Sequence, residues 1–433
     1  MGTNRKLLLG SAISVFVRLV GGLSAFLLSL FLARYLGATE SGVFFFALSL
    51  VMVLSVSARI GTDLTVLRFT SIQFGNGDVV GTLDTLRRCL ILAGISSTFV
   101  AVALYFVSGT IETYTELSSN LSETLRAMSP GLIGLSMLSL IAMGLQGMRK
   151  IVFSVFVLNI ALNAFVILGV AVRNAASPVT VGYIFSIGTM LTAALGWYLL
   201  PAATSRVEPE VDSNERLEAS NLEIGNQQIL NSCIPLWGVD VLSQLSRWSA
   251  QLISGFWIAS NELSQLATAQ RTALLIGFIL AAVNTVLAPK FASFFHSGQS
   301  DQLARLSKKS CQLLALISLP LFLAMMIFPS QIMGLFGSDF RGGAGALQIL
   351  AIAQFVNVCT GSVGYLLSMT GHERDLRRAT LIGSVVAIVV SLILIPRLGL
   401  IGAAMATAIA SILQNLLMTV SVKQRLGFWL VSP

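Results

Sequence analysis

Long apolar runs, broken by short polar stretches, set the pattern of this chain. Twelve runs approach the roughly 20 residues that a helix needs to cross about 30 Å of hydrocarbon. They fall at about 7–33, 43–67, 89–108, 127–147, 151–172, 179–200, 229–258, 263–288, 310–335, 345–369, 379–396 and 401–422. Backbone groups in lipid must be satisfied within a segment or in a closed barrel. Runs such as 91–106 lack the apolar–polar alternation of a barrel strand, so the pattern predicts helices. The longest polar stretch, 201–228, carries Glu208, Glu210, Asp212, Glu215, Glu218 and Glu223 and divides the runs six and six. The expected organisation is all-α: a six-helix bundle over 1–200, a linker over 201–228, and a second six-helix bundle over 229–433.

The two halves look like a repeat. Shifted by 222 residues, Arg68 falls on Lys290, Phe69 on Phe291, Ser71 on Ser293, Arg87 on Lys309 and Cys89 on Cys311. Both stretches join the second span of a half to its third. Six spans plus six, starting from the same side, give parallel repeats related by a pseudo-two-fold axis along the membrane normal, a plan common among transporters.

Composition supports a membrane protein. Of 433 residues, 55% are hydrophobic and only 11% charged, about half the charge share of a soluble domain. The net charge of +8 does not indicate a nucleic-acid partner, because the basic residues form short clusters between apolar runs. With the N-terminus inside, 18 Lys and Arg fall in inside segments and 5 in outside segments. That bias places both termini and the linker in the cytoplasm. No cleavable signal peptide is expected, so the first helix reads as a retained span. Cys89, Cys233, Cys311 and Cys359 show neither a disulfide framework nor metal-ligand spacing. His296 and His372 fall in loops, no phosphate-cradling Gly-rich loop is present, and no cofactor, metal or enzymatic activity is expected.

Candidate chemistry lies in the charges that remain inside spans. An arginine in mid-span costs about 2.5–3.5 kcal/mol by insertion scales. Arg18, Arg59, Arg247 and Arg271 are such residues, and they occupy the first two spans of each half. Ser11, Ser14, Arg18, Gly22, Ala25 and Ser29 recur at helical spacing and form one small, polar face. Asp240, Gln244, Arg247 and Gln251 form a second stripe, and Gln270 lies beside Arg271. Such faces are expected to line a cavity between the halves rather than meet lipid. Arg59 and Asp63, at i and i+4, can also pair as helix glue. The predicted substrate-binding set is Arg18, Arg59, Arg247, Arg271, Asp240, Gln244, Gln251 and Gln270. An excess of cations suits phosphate or another anionic headgroup, which Arg contacts through two parallel bonds. Trp237, Trp248 and Trp257 serve as interface or packing residues, or offer faces to sugar rings. Gly131 with Gly134, and Gly399 with Gly402, allow helices to approach closely.

Several stretches carry a family resemblance: Ala33-Arg34-Tyr35-Leu36-Gly37 followed by Glu40-Ser41-Gly42-Val43-Phe44; Gly144-Leu145-Gln146-Gly147; and Ile395-Pro396-Arg397-Leu398-Gly399-Leu400-Ile401-Gly402-Ala403-Ala404. In order and position they resemble the Wzx-type polysaccharide flippases of the multidrug/oligosaccharidyl-lipid/polysaccharide (MOP) exporter superfamily, over nearly the whole chain. The resemblance implies a MOP/MATE-like fold of two helical bundles and a cationic cavity. It further implies alternating access that carries an undecaprenyl-diphosphate-linked oligosaccharide from the cytoplasmic to the periplasmic leaflet of a bacterial inner membrane. Implied partners are that lipid-linked oligosaccharide, membrane lipid, a polysaccharide polymerase and glycosyltransferases. The rivals are a cation-coupled multidrug antiporter of the same fold and a non-transporting scaffold of a polysaccharide assembly complex.

Overall fold

A computed structural model describes residues 2–117, 120–174, 176–204 and 226–430. Most of the linker expected over 201–228 therefore lies outside the described residues. Those described are helical nearly throughout. In chain order the helices are α1 (Gly2–Ala58), α2 (Thr62–Gly75), α3 (Val79–Thr113), α4 (Leu121–Gly147), α5 (Ile151–Val155), α6 (Leu162–Arg173) and α7 (Pro178–Thr204). There follow α8 (Asn226–Ser254), α9 (Ser260–His296), α10 (Ser300–Ile327), α11 (Pro329–Gly334), α12 (Ala344–Cys359), α13 (Val363–Met369) and α14 (Glu373–Leu426). A π-helical turn, Phe156–Ala161, joins α5 to α6.

Among the described residues, nine helices are long and apolar enough to cross a membrane. They cover eleven of the twelve runs read from the sequence, because two helices each hold two runs. In α1 the spans meet at Gly37 (φ 75°, ψ 176°), and in α14 they meet at Gly399 (φ 54°, ψ −129°). Both lie in a region that side chains disfavour, which is why glycine stands at these corners. The remaining run forms α8, whose 29 residues include Asp240, Gln244, Arg247 and Gln251 and are too polar for the same measure.

The repeat recurs in backbone hydrogen bonding. After α2, the amides of Asn76, Gly77 and Asp78 donate to Ile72, Phe74 and Gln73; after α9, those of Ser297, Gly298 and Gln299 donate to Ser293, Phe295 and Phe294. Gly77 thus matches Gly298, an offset of 221 residues. A second turn recurs at 222: Met148, Arg149 and Lys150 bond as Thr370, Gly371 and His372 do. Arg149 and Gly371 share positive φ, 60° and 76°. One residue has been gained between the two turns of the second half, so the side-chain matches at 222 are one step out of register with the first turn.

Contacts group the chain into two compact units. The described residues of one fall within Met1–Phe46, Thr115–Ser118 and Leu245–Pro433, and those of the other within Ala47–Tyr114 and Ser119–Gln244. In the second unit α4 packs on α7 through small residues. A Cβ on Gly131 would lie 2.7 Å from Ser186 Oγ, and one on Gly134 would lie 2.5 Å from Thr189 Oγ1. Ser186 Oγ donates to the Ala127 carbonyl at 2.7 Å. Close approach and a bond to backbone together replace the hydrophobic effect, which lipid does not supply between helices.

In the first unit, stretches that carried the family resemblance do structural work. Arg34 Nε donates to the Leu335 carbonyl. Ser41 Oγ meets Ser264 Oγ at 2.6 Å, Gly42 lies against the Ser260 carbonyl, and Phe44 is fully buried. These contacts seat the corner of α1 against the start of α9 and against Leu335, just after α11. At the loop ends of α14, Arg425 grips Asp375 at 2.7 Å and 3.4 Å and holds its carboxyl below the usual range.

Candidate functional site

The expected site residues divide between the units. In the second unit α1 ends at a break, with Ile60 (φ 50°) and Gly61 (φ 74°) interrupting the helix before α2. Arg59 sits at that break. Its Nε donates to Asp63 Oδ2 at 2.7 Å and its Nη1 to Ser55 Oγ at 2.6 Å. Both ends of this ion pair are buried. The i, i+4 spacing has produced the local pair anticipated as one reading of Arg59. The start of α8 closes over the break: Trp237 Nε1 donates to the Ser57 carbonyl at 2.9 Å, and Cys233 Sγ contacts Thr65 Oγ1 at 3.3 Å. Trp237 thereby satisfies a carbonyl near the interruption, as a broken span requires. Asp240 is half-buried, one turn further on, and within electrostatic reach of Asp63 and Arg59. Gln244 is half-buried in the same unit.

The first unit holds Arg247, Gln251, Gln270 and Arg271, and brings all four to one cavity of about 390 Å³. Every described residue lining it belongs to this unit. Its wall is built by α1 (Gly22, Ala25, Phe26), α8 (Ser246, Arg247, Trp248, Gln251) and α9 (Gln270, Arg271, Leu274, Phe278), with further residues from α12 and α14. Gly22 lets α9 close in, since a Cβ there would lie 2.7 Å from the Phe278 ring. Among the described residues the wall carries two arginines and no Asp or Glu.

Arg271 is stacked, with its guanidinium carbon 4.0 Å from the centroid of Phe45. The face of the ring attracts the cation and orients its plane. Nη1 of Arg271 is buried without a hydrogen-bond partner among the described residues, and no described carboxylate pairs with this side chain. Arg247 is exposed at the cavity and makes no described ion pair. The site thus offers one pre-oriented guanidinium and one adjustable one to an anion, in a low-dielectric surround where charge-assisted bonds are strong. The helix backbone is described at Arg18, but its side chain lies outside the described residues.

Sequence reasoning missed Gln354, Thr407, Ser411 and Gln414, which also line the cavity. The signal was available, since each is a polar residue inside an apolar run. Phe45 carried none, because an aromatic residue in a span is ordinary. Of the tryptophans singled out above, Trp237 is a helix-break partner and Trp248 lines the cavity.

Comparison with known proteins agrees with the resemblance at the level of the MOP superfamily. Residues 241–393 match the MatE family profile. The chain is 24% identical to a probable low-salt glycan biosynthesis flippase, Agl15, of Haloferax volcanii, over 92% of this chain and 80% of that protein. Among solved structures, the lipid II flippase MurJ in an inward closed conformation superposes with a TM-score of 0.68 at 16% identity, covering 96% of this chain and 87% of MurJ. An inward-facing multidrug resistance MATE family transporter of the MOP superfamily superposes at 0.73 with 15% identity, covering 95% and 98%. These likenesses establish the fold as that of MOP transporters, a multi-pass membrane architecture.

Proposed function

We propose that this chain is a flippase of the MOP exporter superfamily, acting on lipid-linked oligosaccharides of the undecaprenyl-diphosphate type. It would carry them from the cytoplasmic to the outer leaflet of the plasma membrane for surface polysaccharide synthesis. Both termini and the 201–228 linker would face the cytoplasm, in keeping with the distribution of Lys and Arg. The observation that carries the reading is the cavity wall, with Arg247 and Arg271 and, among the described residues, no acidic side chain.

In this reading the diphosphate accepts hydrogen bonds from Arg271, held by Phe45, and from Arg247, while Gln251 and Gln270 supply neutral contacts. Arg18 joins the set on the strength of the sequence alone, being an uncompensated cation within its own span. Arg59 is spent on Asp63, and we assign that pair to holding the broken helix, with Asp240 and Gln244 beside it on α8. The relative from Haloferax volcanii, named as a glycan biosynthesis flippase, supports the substrate class. A cation-exporting antiporter of the same fold fits this cavity poorly, because among the described residues a cationic drug would meet two arginines and no carboxylate. A scaffold role would give no purpose to Arg271 Nη1, which has no hydrogen-bond partner among the described residues.

The test is substitution in cells whose surface glycan depends on the protein. Arg271→Ala and Arg247→Ala should each reduce export while membrane levels stay normal. Lys at position 271 should restore only part of it, since the planar fork is lost. Normal export from the double alanine variant would refute the assignment.

A further inference from the structure

Three polar atoms on the cavity wall are shut away from solvent and have no hydrogen-bond partner among the described residues: Arg271 Nη1, Trp248 Nε1 and Gln251 Oε1. A phosphate can answer the two donors. It cannot answer the amide acceptor, because an ionised phosphate oxygen offers only lone pairs. Gln251 is 2% exposed, so bulk water does not answer it either. Its amide presents a donor and an acceptor side by side, and a hydroxyl can satisfy either one.

The rest of the wall repeats that chemistry. Gln270, Gln354 and Gln414 bring three more amides, and Thr407 and Ser411 bring hydroxyls. Gln414 uses its Nε2 on Thr380 Oγ1 at 3.3 Å, and no described donor meets its Oε1. Four amides in one small cavity exceed what a phosphate alone calls for. Neutral amides paired with an indole suit a polyhydroxylated ring, which needs both donors and acceptors at its rim and an apolar surface at its face.

We propose that this cavity contains a hydroxyl-reading subsite, in which Gln251 hydrogen-bonds a hydroxyl of a sugar ring bonded directly to the phosphate held by Arg271. The inference rests on the flippase reading above. A volume of about 390 Å³ lies near the lower end of small-molecule pockets, roughly 300–1,000 Å³. That is room for one ring and its phosphates, not for a whole oligosaccharide. The protein therefore reads the sugar next to the carrier and leaves the distal sugars unread within this cavity.

The experiment measures binding to the purified full chain in lipid nanodiscs. The probes are a short-chain polyprenyl diphosphate bearing a single hexose and the same polyprenyl diphosphate without sugar. The glycosylated probe should bind about tenfold more tightly, the size expected of one well-made buried hydrogen bond. Gln251→Leu, similar in volume but unable to hydrogen-bond, should bring the ratio of the two affinities down toward one. Gln251→Met gives the same reading should the leucine protein fail to insert. Equal affinity for the two probes in the unaltered protein, or an undiminished ratio in the Gln251 variants, would overturn the hydroxyl subsite. A bare diphosphate that does not bind, or that binds Arg271→Gln as well as it binds the unaltered protein, would overturn the flippase reading instead.

Discussion

Removing Asp63 separates two roles that an intramembrane arginine can have. Arg59 and Asp63 are both buried, and Arg59 is bound to Asp63 at 2.7 Å and to Ser55 at 2.6 Å. In Asp63→Ala the guanidinium keeps only the serine, and an unpaired buried charge remains. Breaking such a pair from one side costs on the order of 3–5 kcal/mol. Replacing both partners with apolar residues of similar size is often neutral or stabilising, because neither charge then has to be desolvated. Arg59→Met with Asp63→Leu should therefore recover most of the loss. Ser55 Oγ would still have Ser136 Oγ at 3.2 Å, so the double variant orphans no serine hydroxyl. Detergent-solubilised protein can be melted with a thiol-reactive dye, since Cys89, Cys233 and Cys311 are free and buried. For a unit of this size the single variant should melt roughly 6–20 °C lower, taking about 2–4 °C per kcal/mol. The double variant should melt within a few degrees of the parent and should still export glycan. A double variant as unstable as the single one would refute the ion-pair account. A stable double variant without export would return Arg59 to the substrate path.

Two further outcomes follow from topology and packing. Reporter fusions at either terminus or within 201–228 should report the cytoplasm; a periplasmic signal from the linker would undo the six-plus-six arrangement. Gly134→Leu should destabilise by about 1–3 kcal/mol through overpacking, because even its Cβ would lie 2.5 Å from Thr189 Oγ1. Gly94→Ala, whose Cβ would meet nothing nearer than 3.8 Å, should be tolerated, and equal melting temperatures for the two would discredit the packing argument.

Much of this protein was legible because its signals are local or categorical. Helical spans follow from run length, since lipid offers backbone groups no partner outside the segment. Gly37 and Gly399 lie between runs, yet the corners they form in continuous helices were not read from the sequence, where Gly399 with Gly402 stood only as a close-packing pair. The Arg59–Asp63 pair was visible because i and i+4 share a helix face whatever surrounds them. The polar stripe of α8 was visible because polar side chains are costly in lipid and so must face something else.

Tertiary structure decided what those side chains face. One continuous stripe, Asp240 to Gln251, is divided between two compact units: Asp240 lies near an ion pair, and Arg247 and Gln251 line a cavity. No periodicity within α8 distinguishes its ends. Phe45 under Arg271, 226 positions away along the chain, left no trace in composition or spacing. Helices α12 and α14 supply Gln354 and Gln414 to the same wall as Gln251 and Gln270, and each alone is an unremarkable polar residue in an apolar helix. The sequence by itself determined which side chains cannot face lipid, because that cost depends on residue type and depth. Which of them meet, and so whether an arginine is neutralised or left to take an anion, depends on non-local packing between helices, and only the fold settles that.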